Sequence, residues 1–310
     1  MARGLGKFIH DCAHSAGVST WVARNMKVMR IIMFHGVGDD ECPEVFFIQQ
    51  LKYLATHFDV VPLHVMLDRL DTGKGCSGRE VVLTFDDGLR NNYTIVYPLL
   101  RELGLPATFF VCPGLIESGR WLWNHEARQR LIRMSECERK ELSAPFGRHM
   151  NTTEQIIAWM KGTPWAVRIG IEEQIRNMTP RYQPTSEERN RFDIMTWEDL
   201  TALSPELITI GAHTTSHAIL GSLDDDVLSE EIEGCRCRLE AWLQRPVDLF
   251  CYPNGIHTPK VVQNVRAAYR AGVTTEPGVV LAGDDPFVLK RITVAPELSY
   301  FSWRMHRPAA

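Results

Sequence analysis

One stretch constrains the fold of this chain more than any other: Val81-Val82-Leu83-Thr84-Phe85-Asp86-Asp87-Gly88. Its first five residues suit an interior strand, whereas Asp is disfavoured there, so the strand must end as the carboxylates begin. Adjacent like charges repel, and burying either without a partner is costly. A cationic group is therefore expected at this strand end. Ile208-Thr209-Ile210-Gly211-Ala212-His213-Thr214-Thr215-Ser216-His217 is a second apolar strand that breaks into polar residues, here with two histidines four apart. One carboxylate and two imidazoles make a three-ligand set, the count of a catalytic zinc that keeps its fourth position open.

The surrounding chain alternates strand and helix patterns. Val28–Gly36 reads as a strand, and Val45–Ala55 as a helix with Phe47, Leu51 and Leu54 on one face. An extended link at Val60–Leu63 leads to a helix through Leu70 and a glycine-rich turn, Gly73–Cys76. A helix through Leu103, a strand around Phe109, strands at Val247–Tyr252 and Gly272–Thr275, and a helix over Val227–Leu243 complete the pattern. Such alternation predicts parallel βαβ units in an α/β sheet or barrel. Residues 117–193 break it. They are polar, charge-dense and helix-prone, with Trp121, Trp123, Trp159 and Trp165, and are expected to form a largely helical insertion. In a barrel enzyme an insertion after a strand lies at the C-terminal face, where substrates bind. The expected organisation is an N-terminal amphipathic segment, 1–27, and one catalytic barrel, 28–310, that carries the insertion.

A hydrophobic fraction of 45% in 310 residues supports a sizeable core, and a net charge of −4 gives no broad surface for nucleic acid. No apolar run approaches the roughly 18 residues that a membrane span needs, and residues 1–27 lack the pattern of a secretory signal. The eight cysteines show no disulfide-scaffold spacing; Cys235 and Cys237, two apart in a helical pattern, do not share a face. Free thiols, a reducing compartment and a cytoplasmic location are expected. Residues 1–27 carry Arg3, Lys7, Arg24 and Lys27 among Leu5, Phe8, Ile9, Val18, Trp21 and Val22. Two readings stand: a helix packed on the domain, or a basic amphipathic segment resting on the inner membrane surface.

Thr84-Phe85-Asp86-Asp87-Gly88 and His213-Thr214-Thr215-Ser216-His217 resemble the first two motifs of the polysaccharide deacetylases (carbohydrate esterase family 4, NodB-like). Ala107–Val111 resembles the family's second strand, Phe250-Cys251-Tyr252-Pro253-Asn254-Gly255 its third motif, and Arg291–Val294 falls near the usual end of its catalytic domain. The resemblance covers roughly residues 28–116 and 195–295. It implies a distorted (β/α) barrel of the NodB type, with Asp87, His213 and His217 as metal ligands and Asp86 as the base. The implied metal is zinc, although cobalt or nickel suits the same ligands. It also implies that the Tyr252 backbone N–H holds the oxyanion. Adjacent strand residues point to opposite sides, which would separate the duties of the two Asp residues.

The chain departs from the family twice. The arginine that usually precedes the Pro-containing aromatic motif is missing, and Arg291 is the expected replacement beside Asp86. The usual C-terminal Leu-x-His is missing too. A branch acting on exopolysaccharides has an aromatic–His pair before the Asp-Asp motif, and Phe34-His35 fits it, so His35 is the expected general acid, ahead of His257 or His306. Trp197 is expected as a core residue at a helix start capped by Thr196, with a partial pocket role. Trp121 and Trp123 are candidates for the substrate wall. The activity implied is removal of an N-acetyl group from an amino sugar of a surface polysaccharide, or of its lipid- or nucleotide-linked precursor. A deformylase, another small amide hydrolase and a catalytically silent carbohydrate-binding barrel are the alternatives.

Overall fold

Strands form where β-branched and aromatic residues cluster: β1 (Arg30–Phe34), β2 (Asp59–Val60), β3 (Glu80–Phe85), β4 (Ala107–Val111), β5 (Ile208–Ala212), β6 (Leu249–Cys251), β7 (Ala271–Pro277) and β8 (Leu289–Thr293). This computed structural model describes residues 2–38, 42–73 and 76–308, with side chains from residue 6 onward. The expected turn Gly73–Cys76 runs through Lys74 and Gly75, which lie outside the described residues, as do the side chains of Arg3 and Leu5. The strands pair in parallel in the order β1-β8-β7-β6-β5-β4-β3-β2, and β1 also pairs with β3. Seven strands thus close a distorted (β/α) barrel, and the two-residue β2 hangs on the start of β3.

Period-two alternation sorts the residues of each strand. Ile32, Phe34, Leu83, Phe85, Phe109, Ile210, Phe250 and Ile292 join the core shared with the outer helices, where Phe47, Leu51, Leu100 and Leu239 meet them. Their alternates Ile31, Val82, Phe110, Leu249 and Leu289 form a second, inner cluster with Leu63, Met66 and Leu67. Gly211 makes room for that filling, because a Cβ there would press on the Phe110 ring.

The insertion is helical, as its composition predicts: Trp123–Arg133, Glu136–Ser143, Thr153–Lys161, Trp165–Met178 and Ser186–Phe192. Capping boxes at Ser135/Glu138, Thr152/Gln155 and Thr185/Glu188 start three of these helices by satisfying exposed backbone donors. The insertion has its own core around Leu131, Ile156, Met160 and Ile171. Its exit is stitched to the turn that follows β3. The Met195 N–H donates to the Gly88 carbonyl at 2.9 Å and the Arg90 N–H to the Asp193 carbonyl at 2.7 Å. The insertion therefore stands over the rim made by the C-terminal strand ends.

Helices Ala2–Ser15 and Val18–Asn25 pack against the C-terminal helix Leu298–Arg304. The His10 ring lies 4.9 Å from both Tyr300 and Trp303, and His14 Nδ1 lies 2.9 Å from Ser302 Oγ. Arg30, fully buried at the start of β1, ties the two ends of the chain together. It donates to the carbonyls of Ala23 (2.5 Å), Gly78 (2.7 Å) and Met305 (2.6 Å). Arg30→Met removes these donors and leaves the Gly78 and Met305 carbonyls unpaired, while the Ala23 carbonyl keeps only the long 3.4 Å bond from the Met26 N–H. At about 1 kcal/mol or more per orphaned group, urea unfolding should show a loss of roughly 2 kcal/mol or more, and proteolysis should release the N-terminal helices first.

Candidate active site

The inward alternation that fills the barrel with Ile31 and Val82 continues past the strand ends and changes chemistry there. On β3 it runs Val82, Thr84, Asp86; on β1 it runs Ile31, Met33, His35; β6 adds Cys251 and β8 adds Arg291. Phe34 lies opposite Phe85, and the Asp86 N–H extends that ladder by donating to the Phe34 carbonyl at 3.0 Å. His35 is therefore Asp86's neighbour on the next strand, with Nε2 3.9 Å from Asp86 Oδ2.

Arg291 is the cation that the sequence demands at the end of β3. With no exposed surface, it forks onto both Asp86 oxygens at 2.7 and 2.6 Å. Its Nε donates to the Thr274 carbonyl at 2.7 Å, and further donors reach Thr84 Oγ1 at 3.0 Å and Cys251 Sγ at 3.2 Å. Burial alone would push the Asp86 carboxyl up. The guanidinium charge and its hydrogen bonds outweigh burial and hold the group below its ordinary value.

Asp87 parts from Asp86 for a reason different from strand alternation. The strand ends at Phe85, and Asp87 turns in the left-handed region at φ 74°. His217 (φ 57°) and Thr214 (φ 64°) do the same in the loop after β5. Non-glycine residues held there cost about 1–3 kcal/mol each and collect at functional sites. Their outcome is convergence: His213 Nε2 and His217 Nε2 lie 3.4 and 3.3 Å from Asp87 Oδ1, and the ligating atoms of all three buried residues fall within 4.8 Å of one another. His213 Nδ1 donates to the Cys251 carbonyl at 2.7 Å, which leaves Nε2 its lone pair. Asp87 Oδ1 is buried without a hydrogen-bond partner. A buried carboxylate oxygen and imidazole nitrogens converging without mutual hydrogen bonds fit a divalent cation.

Glu231, which the sequence did not flag, holds the histidine loop. Its carboxylate accepts from the Ser216 N–H (2.9 Å) and Oγ (2.6 Å). Its own carbonyl accepts from the Thr215 N–H at 3.2 Å, and the Glu230 carbonyl accepts from Thr215 Oγ1 at 2.9 Å. Those carbonyls come from a widened helical turn, Glu230–Gly234, which interrupts the helix expected over Val227–Leu243. Such turns recur where a helix serves a site.

A sequence model of the family described as polysaccharide deacetylase matches residues 73–274. This chain belongs to the polysaccharide deacetylase family. YxkH of Bacillus subtilis (strain 168), named for polysaccharide deacetylation, is 20% identical over 91% of this chain and 77% of its own length. Among solved structures, the Streptococcus pyogenes deacetylase PplD, in complex with acetate, superposes with a TM-score of 0.62 at 18% identity, covering 91% of this chain and 98% of that one. IcaB from Ammonifex degensii gives 0.60 at 19% identity, covering 90% and 98%. At these identities the two structures show the fold.

Four expectations are corrected within this deacetylase barrel. The Tyr252 N–H donates to the Val273 carbonyl at 3.2 Å, so it is taken by the sheet and not offered to an oxyanion, while its buried hydroxyl donates to the Phe287 carbonyl at 2.9 Å. Trp197 follows its Thr196 cap and joins the core as expected, and only its partial pocket role is corrected, because it stacks on Trp242 with ring centroids 4.7 Å apart. Trp123 is 5% exposed and sits in the insertion core under the Arg168 guanidinium. Trp121, 7% exposed, donates from Nε1 to Asp193 at 2.7 Å and so pins the insertion to the rim. Both tryptophans serve the insertion from inside, because their apolar surface is worth more buried there than facing water.

Among the other histidines, His257 Nδ1 donates to the Gly255 carbonyl at 2.9 Å and His306 lies against Trp303. His125, from the insertion, is a lone His in a polar segment and so gives no sequence pattern. Burial holds its imidazole down to about 4, against the pull of the nearby Asp87 carboxylate. Beside the turn after His35 lies a cleft of about 610 Å³, lined by Arg90, Asn91, Thr94, Glu187, Asn190 and Asp193 among others. Its size suits a small ligand, and its lining offers hydrogen bonds to hydroxyl groups.

Arg291→Met should lower stability by about 3–5 kcal/mol in urea unfolding, because it strands a buried charge. Arg291→Lys keeps the charge and loses the fork. The pairing that depresses Asp86 is weakened, so the carboxyl titrates higher, and the acidic limb of the pH–rate profile should move to higher pH.

Proposed function

We propose that this polysaccharide deacetylase hydrolyses an N-acetyl group from an amino sugar of a surface polysaccharide or of its lipid- or nucleotide-linked precursor, using a divalent cation, with zinc as the assigned metal. The observation that carries this reading is the convergence of Asp87, His213 and His217 on one point beside a carboxylate locked by Arg291. A cation held by those three residues would polarise the acyl carbonyl and acidify the attacking water.

The chain's own groups divide the proton traffic. Asp86 is ionised and rigidly aimed, so it takes the proton of the attacking water. Arg291 fixes its orientation and keeps it a carboxylate. His35 delivers a proton to the departing amine nitrogen. Its side chain is 51% exposed, so it can recover a proton from solvent after each turnover. The Asp86–His35 spacing of 3.9 Å sets base and acid side by side, a geometry that suits a water and a leaving nitrogen attached to the same carbon. Cys112, Cys235 and Cys251 are free thiols buried within the barrel and its packing, which supports a reducing, cytoplasmic setting.

Acetate release from N-acetylated glucosamine oligomers, abolished by a chelator and restored by zinc, tests the reading; no release under any metal would reject it. His217→Ala should lose bound metal and activity together. Asp86→Asn should keep its metal and lose 10²–10⁴-fold in rate, the usual worth of a positioned base. His35→Ala should slow amide hydrolysis more than hydrolysis of an activated ester, whose leaving group needs no proton. Equal losses on both substrates would remove His35 as the acid.

A further inference from the structure

A second cleft, of about 860 Å³, lies far from this chemistry in the fold. Its walls come from helix Val18–Asn25, from the end of helix Glu44–His57 and from Arg79, which precedes β3. Arg24 and Asn25 lead into β1 and Arg79 into β3, so the cleft opens at the N-terminal strand ends, whereas the catalytic groups occupy the C-terminal ends. The lining includes Arg24, Arg79, His14, His57, Tyr53 and Trp21, and no carboxylate is among the lining residues.

The cations there are poorly neutralised. Arg24 has no ion-pair partner among the described residues. Arg79 spends one terminal nitrogen on Asp59 at 3.3 Å, and its Nε is buried without an acceptor. His57 feels burial first and then the charges of Arg24 and His14, and its imidazole is held below its ordinary value. Like charges gathered around a concave surface, with an unused buried donor, favour an anionic guest. The rim adds a second property. Trp21 is 68% exposed, and Val18, one turn earlier on the same helix, is exposed beside it. An aromatic at such an edge suits a guest that is polar at one end and apolar at the other.

We propose that this cleft binds a phosphate-bearing anion, with Arg24 and Arg79 pairing to the phosphate oxygens and Trp21 covering its attached apolar part. The site is separate from the deacetylase reading and stands or falls independently of it. The phosphate can belong to a lipid headgroup or to a soluble phosphate compound, and the test distinguishes the two.

The full-length, metal-loaded protein is titrated with inorganic phosphate by calorimetry. In parallel it is sedimented with vesicles of phosphatidylcholine alone and of phosphatidylcholine with phosphatidylglycerol. Saturable heat that is at least tenfold weaker in Arg24→Gln and in Arg79→Gln, without vesicle binding, supports the site with a soluble guest. Sedimentation with the anionic vesicles only, reduced at least tenfold in the same variants and also in Trp21→Ala, supports it with a lipid guest. Both arginines are partly exposed, so the variants should melt with the parent protein and deacetylate at its rate. Absence of saturable heat together with equal sedimentation on both vesicle types would overturn the proposal, as would binding that persists unchanged in both arginine variants.

Discussion

The Asp86–Arg291 pair is the interaction on which the rest of this site depends. Two full charges are removed from water inside a barrel, at a desolvation cost that only close, multiple contacts can offset. The contacts are there: a two-pronged fork, a backbone carbonyl for Nε, and a threonine hydroxyl and a cysteine sulfur for the two remaining donors. The guanidinium reaches Asp86 from β8, across the space that a small residue on β6, Cys251, leaves open. Cys251 Sγ lies 3.2 Å from the arginine and 3.4 Å from the carboxylate. A larger side chain at that position would evict the fork. Cys251 stands in the segment that resembles the third motif, where the family's usual arginine is missing, and in this chain Arg291 on β8 supplies the cation to Asp86.

Around this fixed pair, two of the three candidate cation ligands are held by strained backbone. Asp87 and His217 occupy left-handed conformations that are uncommon outside glycine. Each is restrained from outside the barrel: the turn containing Asp87 by the insertion's exit at Asp193–Met195, the histidine loop by Glu231 and its widened helical turn. The insertion also reaches the second loop, since Ile219, two residues after His217, packs on the insertion's core. The helical insertion is therefore more than a cover. It braces both halves of the candidate cation site.

The legibility of the sequence followed the range of the forces involved. Period-two alternation and the abrupt end of the β3 run are local, and they sufficed for the alternating elements, the helical insertion and the need for a cation near Asp86. Arg291 could be singled out because a buried carboxylate requires a partner and the usual one was absent. Four matters were not legible. The parting of Asp86 from Asp87 rests on one φ angle, which strand alternation does not state. The fate of the Tyr252 N–H depends on where β7 lies, which no local pattern states. Trp121 and Trp123 are expected on the substrate wall, whereas burial decides their place: Trp123 joins the insertion core and Trp121 packs on Phe192. Glu231 and His125 act across long sequence separations from polar helices, where a functional carboxylate or imidazole looks like any solvated one.

Parallel strands give the barrel two chemically different ends, and this chain uses both. At the C-terminal ends the backbone is free of the sheet and can project Asp86, Asp87 and His213 toward a common point. At the N-terminal ends, the two arginines sit on the segments that lead into β1 and β3, the same pair of strands whose register sets His35 beside Asp86. Arg30, one residue into β1, meanwhile binds the carbonyls of Ala23 and Gly78, the neighbours of Arg24 and Arg79. A guest in the cationic cleft would therefore load the same two strands from below without touching the substrate. If that guest is a lipid phosphate, the catalytic rim faces away from the lipid surface. Such an orientation suits a soluble or extended sugar chain better than a short sugar held at the same surface, and it makes the identity of the guest informative about the substrate.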